Sequence, residues 1–319
     1  MSGPVAAGPS PGPLAAGPSS GPVVAGQPED FGLRGGGRRL VLTAACPDRV
    51  GIAAAVSSFI AGHGGWVLES AQHGDLATGR FFFRIETIAD TVPFDAAGLR
   101  TTFAPIAERF RMEWQVTDTD VPKRTVVLVS REDHCLVDLL YRWRVGDLPG
   151  ELACVISNHD TLREQVEWHG VPFHHVPITD DRPERSFGEI ARRFEDAGGD
   201  VMVLARFMRI VPPDLCERYA GRIVNIHHSF LPSFAGARPY HQAFQRGVKL
   251  IGATCHYVTA TLDGGPIIEQ DTRRVSHTDG PAELARLGRD VEQKVLARGL
   301  RWVLEDRVLL NGDRTVVFA

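Results

Sequence analysis

The chain has 319 residues, enough for one large or two ordinary domains. It is 43% hydrophobic and 23% charged with a formal charge of -4, the balance of a soluble globular protein with no reason to expect a nucleic-acid partner. No apolar run approaches the roughly 18 residues of a membrane span, so no membrane partner is expected either.

The five cysteines, Cys46, Cys135, Cys154, Cys216 and Cys255, are odd in number, widely spaced and without a Cys-x-x-Cys pair. They indicate neither a disulfide framework nor a zinc site and fit a reducing cytoplasm. Residues 1–38 stand apart, with Pro, Gly, Ala and Ser in repeats such as AAGPS and SSGP. Such a segment cannot bury enough apolar area to offset its ordering entropy, and a disordered tail is expected. It lacks the basic start and apolar core of a signal peptide, and no Arg precedes Arg34, which argues against a transit peptide.

From residue 39 the pattern becomes regular. Residues 39–45 form a short apolar strand, Asp48 is the expected N-cap, and residues 52–61 run apolar at helical spacing. Residues 66–74 and 80–88 predict a hairpin, 94–110 an amphipathic helix and 112–117 a closing strand. The order is βαββαβ, a ferredoxin-like pattern over residues 39–120, followed by a linker at 118–122.

Residues 123–319 alternate strand and helix. Strands are expected at 125–130, 152–157, 173–178, 201–207 and 222–227, which is the signature of a doubly wound, mostly parallel sheet. A late pair at 250–258 and 266–275 adds antiparallel strands, and a helix at 281–306 carries Leu284, Leu287, Val291 and Val295 on one stripe. In open sheets of this kind, ligands sit beyond the carboxyl ends of the strands, where Asn225 and His227 are expected.

Asn225 and His227 are two apart on a strand, so both side chains leave the same face. An amide and an imidazole N–H aimed at one point make an oxyanion hole, each donor worth roughly 3 kcal/mol in the transition state. Asp263 precedes Gly264, Gly265 and Pro266, glycines that allow unusual backbone angles and a proline that stiffens the exit. A carboxylate there can take a proton from a nucleophile and pass it to a leaving nitrogen. Singly, each residue is more often a loop hydrogen-bonder or part of a turn. Together with Leu231-Pro232-Ser233-Phe234, Gly236-Ala237-Arg238-Pro239 and His256-Tyr257-Val258 they form a catalytic window.

That window resembles the formyl-transferring enzymes that use 10-formyltetrahydrofolate. Their N-I-H-x-S-x-L-P motif matches residues 225–232, and their L-D-x-G-P loop matches residues 262–266. Within this group residues 39–319 look most like the formyltetrahydrofolate deformylases, on the second His at His228, the run from Gly236 to His241, Asn158-His159-Asp160, and an ACT-like unit ahead. The resemblance implies hydrolysis of 10-formyltetrahydrofolate to tetrahydrofolate and formate, with formate supplied to purine synthesis. It carries Asn225, His227 and Asp263 over as the catalytic trio. It places pterin binding on Met208, Arg209, Ile210 and Val211, with backbone groups of Arg209 and Val211 on the ring and Met208 and Ile210 packing. No cofactor and no metal is implied, folate being the substrate, and no His spacing suggests a metal site.

Residues 39–120 resemble an ACT domain, a small regulatory module that pairs through its sheet and often binds amino acids. That resemblance implies a homo-oligomer (dimer, tetramer or hexamer) and a glycine or methionine effector at a loop from Asp48 to Gly51. Helix-start chemistry alone explains those residues equally well. His228 and His256 each have two readings. His228 either supports Asp263 and the attacking water or, pointing to the face opposite His227, is a core histidine. His256 either supports the site from behind or packs. The chain departs from enzymes with a phosphorylated acceptor at Ser130, Arg131, Glu132, Asp133 and His134, where glycines would let backbone N–H groups meet the phosphate. Two carboxylates in their place favour water as acceptor. The rival readings are formyl transfer to an amine and a non-catalytic sensor on the same fold.

Overall fold

Strand β3 (Arg80–Ile88) is buried along nearly its whole length, so both of its faces must be covered. In this structure, a computed structural model describing residues 37–179, 183–233 and 239–319, it lies inside an antiparallel sheet of order β2-β3-β1-β4. Its neighbours are β1 (Arg39–Pro47), β2 (Val67–Asp75) and β4 (Glu113–Asp118), with α1 (Ile52–Gly62) after β1 and α2 (Ala96–Phe110) after β3. Phe83 and Ile85 of β3 join Leu40, Leu42, Ile60 and Phe103 in the core under the helices. With a period of two, Phe82, Arg84 and Glu86 take the other face.

That second face meets the end of the chain. Arg84 is 2% exposed. It donates to Glu69 at 2.7 Å, to Glu86 at 2.8 Å and to the carbonyl of Glu305 at 3.1 Å. Arg307 grips Glu69 at 2.9 Å, and Gln115 and Lys123 reach Asp306 at 2.9 and 2.5 Å.

Asp48 does not cap α1. The N-cap is Gly51, at φ 97, and no side chain caps the helix. The Asp48 backbone N–H instead bonds the Gly79 carbonyl at 2.8 Å, closing the turn after β1 onto the β2–β3 hairpin. Its carboxylate lies beside β2, where Oδ2 would meet a Cβ on Gly74 at 3.1 Å. Asp95 does cap α2, accepting from the Gly98 N–H at 2.8 Å.

The second sheet has the order β11-β10-β9-β8-β5-β6-β7. Strands β5 (Arg124–Val129), β6 (Glu151–Ser157), β7 (Phe173–His175), β8 (Val201–Leu204) and β9 (Ile223–His227) pair in parallel. Strands β10 (Leu250–Tyr257) and β11 (Ile267–Arg274) pair antiparallel along one edge. Helices α3 (His134–Arg144), α4 (Arg163–Trp168), α5 (Pro183–Asp196), α6 (Pro213–Arg218), α7 (Pro239–Gln245) and α8 (Pro281–Leu304) fill the connections. A hairpin of β12 (Val308–Asn311) and β13 (Arg314–Val317) ends the chain. The architecture is mixed α/β with a mostly parallel central sheet.

Alternation puts Val127 and Val129 of β5 in one core with α3 and α8, and Val126 and Leu128 in the other with α5 and α6. Sheets buried on both faces require such continuous apolar strands. Two strands are shorter than their apolar runs. β7 stops at His175, and Val176 and Ile178 leave the edge to pack under α5. β8 stops at Leu204, because Arg206 turns the chain at φ 62. The order reverses between β5 and β8, and their carboxyl ends leave a crevice at that switch point. Residues 1–36 of the expected tail and 234–238, which include Phe234 and residues 236–238 of the expected window, lie outside the described residues. Among the described residues, no helix is long and apolar enough to cross a membrane.

Replacing Arg84 by Ala should strand Glu86 without its inner cation. The expected loss is about 3–5 kcal/mol in urea unfolding. A loss below about 1 kcal/mol would show that the buried carboxylates need no such partner.

Candidate active site

A cavity of 270 Å³ opens beyond β8 and β9, lined by residues 206–211 on one side, Asn225, His227, His228 and His256 at its base, and residues 258–263 on the other. Asn225 and His227 both line it, as side chains two apart on β9 should.

His256 fixes the orientation of Asn225. Its Nδ1 lies 2.8 Å from the Tyr257 carbonyl, which can only accept, so Nδ1 carries the proton. Its Nε2 then offers a lone pair to the Asn225 amide at 3.1 Å. One amide N–H is held in this way and the other is left for the cavity. Burial, first of all, holds the His256 pKa below its ordinary value and keeps the ring neutral.

His227 is 5% exposed and its Nδ1 lies 3.2 Å from Asp263 Oδ1. Its Nε2 is buried with no hydrogen-bond partner in the protein. Asp263 has a left-handed backbone at φ 53. Gly264 and Gly265 are not at positive φ, and the freedom expected of them takes another form. A Cβ on Gly265 would come 1.7 Å from the Tyr257 carbonyl oxygen, so only glycine lets the loop lie this close to β10. The Pro266 carbonyl, accepting from the Tyr257 N–H at 2.9 Å, pins it there.

His228 does not take the opposite sheet face. β9 ends at His227, so the strand period no longer applies one residue later. The His228 ring lies 5.1 Å from that of His227 and 6.1 Å from that of Tyr240, and it lines the same cavity. Burial, and then the Arg206 guanidinium, push its pKa down to about 4.

The 206–211 wall is anchored from behind. The Ser130 hydroxyl donates to Asn158 at 2.7 Å and accepts from the Met208 N–H at 3.1 Å. Val211 is buried, whereas Met208 and Ile210 are 58% and 71% exposed and present apolar surface at the mouth instead of packing in the core. Asp48 and Gly51 lie in the loop between β1 and α1 and do not line this cavity. Arg131, Glu132 and Asp133 are exposed at the carboxyl end of β5.

One residue that the sequence reading passed over stands beside this site. Glu292 of α8 is 1% exposed. It accepts from Tyr240 at 2.5 Å and His134 at 2.8 Å and pairs with Arg206 at 3.5 Å. A glutamate inside the apolar stripe of α8, between Val291 and Val295, was the available signal. His134, Cys135 and Glu292 have ligand atoms within 4.8 Å of one another, the described group that could hold a metal. Burial, and then Glu292, push the Cys135 thiol well above its ordinary value, which opposes the thiolate a metal needs.

Residues 123–300 match the family model described as formyl transferase. The formyltetrahydrofolate deformylase of Bacillus subtilis is 47% identical over 285 residues, 87% of this chain and 93% of that protein. The crystal structure of a formyltetrahydrofolate deformylase from Pseudomonas syringae superposes with a TM-score of 0.89 at 56% identity, covering 91% of this chain and 98% of that one. The glycinamide ribonucleotide transformylase 1 of Symbiobacterium toebii, at TM-score 0.59 and 32% identity, covers 95% of its own chain but 62% of this one. Fold and site define a formyl transferase-type protein, and within that class the chain belongs to the formyltetrahydrofolate deformylase family.

The depressed His228 value has a sign that can be checked. The group is neutral when folded down to about pH 4 but takes a proton near 6.5 when unfolded. Its contribution to stability is therefore complete above pH 6.5 and is lost as pH falls toward 4. At pH 5 the loss should be about 2 kcal/mol. A His228→Gln variant should show a correspondingly shallower fall in its urea midpoint between pH 7 and 5, and an unchanged slope would contradict the assignment.

Proposed function

We propose that the protein hydrolyses 10-formyltetrahydrofolate to tetrahydrofolate and formate, with Asn225, His227 and Asp263 as the catalytic residues. The observation that carries the reading is the His227–Asp263 pair at 3.2 Å beside Asn225, at the base of a cavity in a chain of this family.

The pterin ring sits along the wall of Met208, Arg209, Ile210 and Val211, where exposed backbone and apolar side chains suit a flat heterocycle. The formyl oxygen lies between the remaining Asn225 N–H and His227 Nε2. With Nδ1–H facing Asp263, Nε2 donates to the formyl oxygen only when both ring nitrogens carry a proton. Water attacks the formyl carbon as a carboxylate oxygen of Asp263 takes its proton. The tetrahedral oxyanion is held by the two donors, each worth roughly 3 kcal/mol. Asp263 returns the proton to the folate nitrogen, the C–N bond breaks, and formate leaves.

Water is the acceptor because loop 130–134 offers Glu132 and Asp133 where a phosphorylated amine would need backbone N–H groups. Exposed carboxylates there repel a phosphate. Formate released in this way feeds purine synthesis in the cytoplasm, and the reaction needs no cofactor or metal.

Residues 39–120 are assigned as a ferredoxin-like ACT regulatory domain and 123–319 as the catalytic domain, preceded by a tail at 1–38. The βαββαβ element order supports the first assignment. So does the coverage of the transformylase, which matches only 62% of this chain. ACT pairing makes the protein a homo-oligomer, with glycine or methionine bound at the loop from Asp48 to Gly51.

Purified protein given 10-formyltetrahydrofolate alone should release formate carrying oxygen from labelled water, and glycinamide ribonucleotide should not be formylated. Asp263→Asn should lower turnover roughly a hundredfold or more while folate still binds. Formylated glycinamide ribonucleotide appearing faster than formate would replace the hydrolase with a transferase. Near-normal turnover of the variant would remove Asp263 from the mechanism. For the regulatory assignment, sedimentation of the full chain should show an oligomer, and turnover should respond to glycine or methionine. A monomer indifferent to both would overturn that assignment.

A further inference from the structure

Glu292 is a carboxylate in the wrong place for stability alone. It is 1% exposed on α8, a helix whose Val291 and Val295 are core residues. An ion pair there costs several kcal/mol per charge in desolvation, and a well-packed apolar side chain usually serves a core as well or better. Its three partners come from three separate segments. Tyr240, in the first turn of α7, donates to Oε1 at 2.5 Å. His134, at the start of α3, donates to Oε2 at 2.8 Å. Arg206, immediately after β8, lies 3.5 Å from Oε2.

Two of these partners touch the site directly. Arg206 lines the cavity and begins the 206–211 wall in a left-handed conformation, at φ 62, that a non-glycine residue adopts only when its surroundings hold it. Tyr240 packs its ring edge against His228, which in turn lies against His227. A continuous run of contacts therefore leads from Glu292 through Tyr240 and His228 to His227 and Asp263.

We propose that Glu292 is a positioning residue for the reaction, holding Tyr240 and Arg206 so that His228 braces His227 at the reacting formyl group. The inference rests on the hydrolytic reading above. Glu292 touches no substrate and acts through the groups it holds. Charge is part of the device, because Arg206 brings a cation to the cavity wall and the buried carboxylate neutralises it. A displacement of about 1 Å at His227 suffices to cost a large factor in rate.

The test compares wild type, Glu292→Gln, Tyr240→Phe and the double variant for kcat, KM for 10-formyltetrahydrofolate and Tm. Glu292→Gln keeps volume but removes the charge and one acceptor oxygen. Its kcat should fall roughly 10- to 100-fold with KM within about threefold. Tyr240→Phe, which loses only a hydroxyl, should lower kcat by roughly three- to tenfold with little change in Tm. The double variant should be no slower than Glu292→Gln, because both changes break one chain of contacts. A kcat within about twofold of wild type in either single variant overturns the proposal. So does a joint collapse of kcat, KM and Tm in Tyr240→Phe, which would show a purely structural role. Should Glu292→Gln fail to fold, Tyr240→Phe decides by the same criteria. A wild-type protein that releases no formate sinks the hydrolytic reading and this inference with it, whereas normal wild-type turnover with unaffected variants sinks this inference alone.

Discussion

The pairing of Asp263 with His227 depends on how closely one loop can lie against strand β10. Asp263 comes from the loop between β10 and β11, which lies close to β10 because Gly265 has no Cβ to strike the Tyr257 carbonyl, and its carboxylate reaches the imidazole. The same stretch of β10 supplies His256, whose ring orients Asn225. A single strand edge thus sets the distance between donor pair and base. Its register against β9, with His256 opposite Asn225, puts all three side chains at the base of one cavity.

Burial then decides how many charges the site carries. Three imidazoles crowd one region, and three cations there would repel one another. Desolvation holds His228 and His256 neutral. His227 is the ring placed against a carboxylate, its Nδ1 3.2 Å from Asp263. Glu292 applies the same logic to Arg206. Burial works to raise its pKa, but His134 and Arg206 outweigh that and keep it ionised, so the cavity wall carries a matched pair and not a lone cation.

The first sheet follows a different rule. Its outer face, which alternation would have left polar and wet, carries Arg84, Glu86 and Glu69 and is closed by Glu305, Asp306 and Arg307 just after α8. Charges buried between sheet and chain end hold the two in one register, because each guanidinium and carboxylate must find its partner. α8 runs from Glu292 beside the cavity to this contact with the first sheet.

The order of strands and helices was legible because it depends on local periodicity, which twelve or so consecutive residues carry by themselves. The pattern of Asn225 and His227 two apart, and of an aspartate before two glycines and a proline, was equally local, and so was its resemblance to the formyl-transferring enzymes. The side on which His228 falls was not legible in the strand period, since it depends on β9 stopping at His227. The Asp48 cap failed for a similar reason, its loop being drawn to the β2–β3 turn by a backbone bond to Gly79. Glu292, Tyr240, Arg206 and His134 lie on four elements far apart in the chain, and no periodicity joins them. Only the packing of α3 and α7 against α8 and the turn after β8 bring these groups together, because the free energy of a buried carboxylate depends on donors that the fold, and not the neighbouring sequence, supplies.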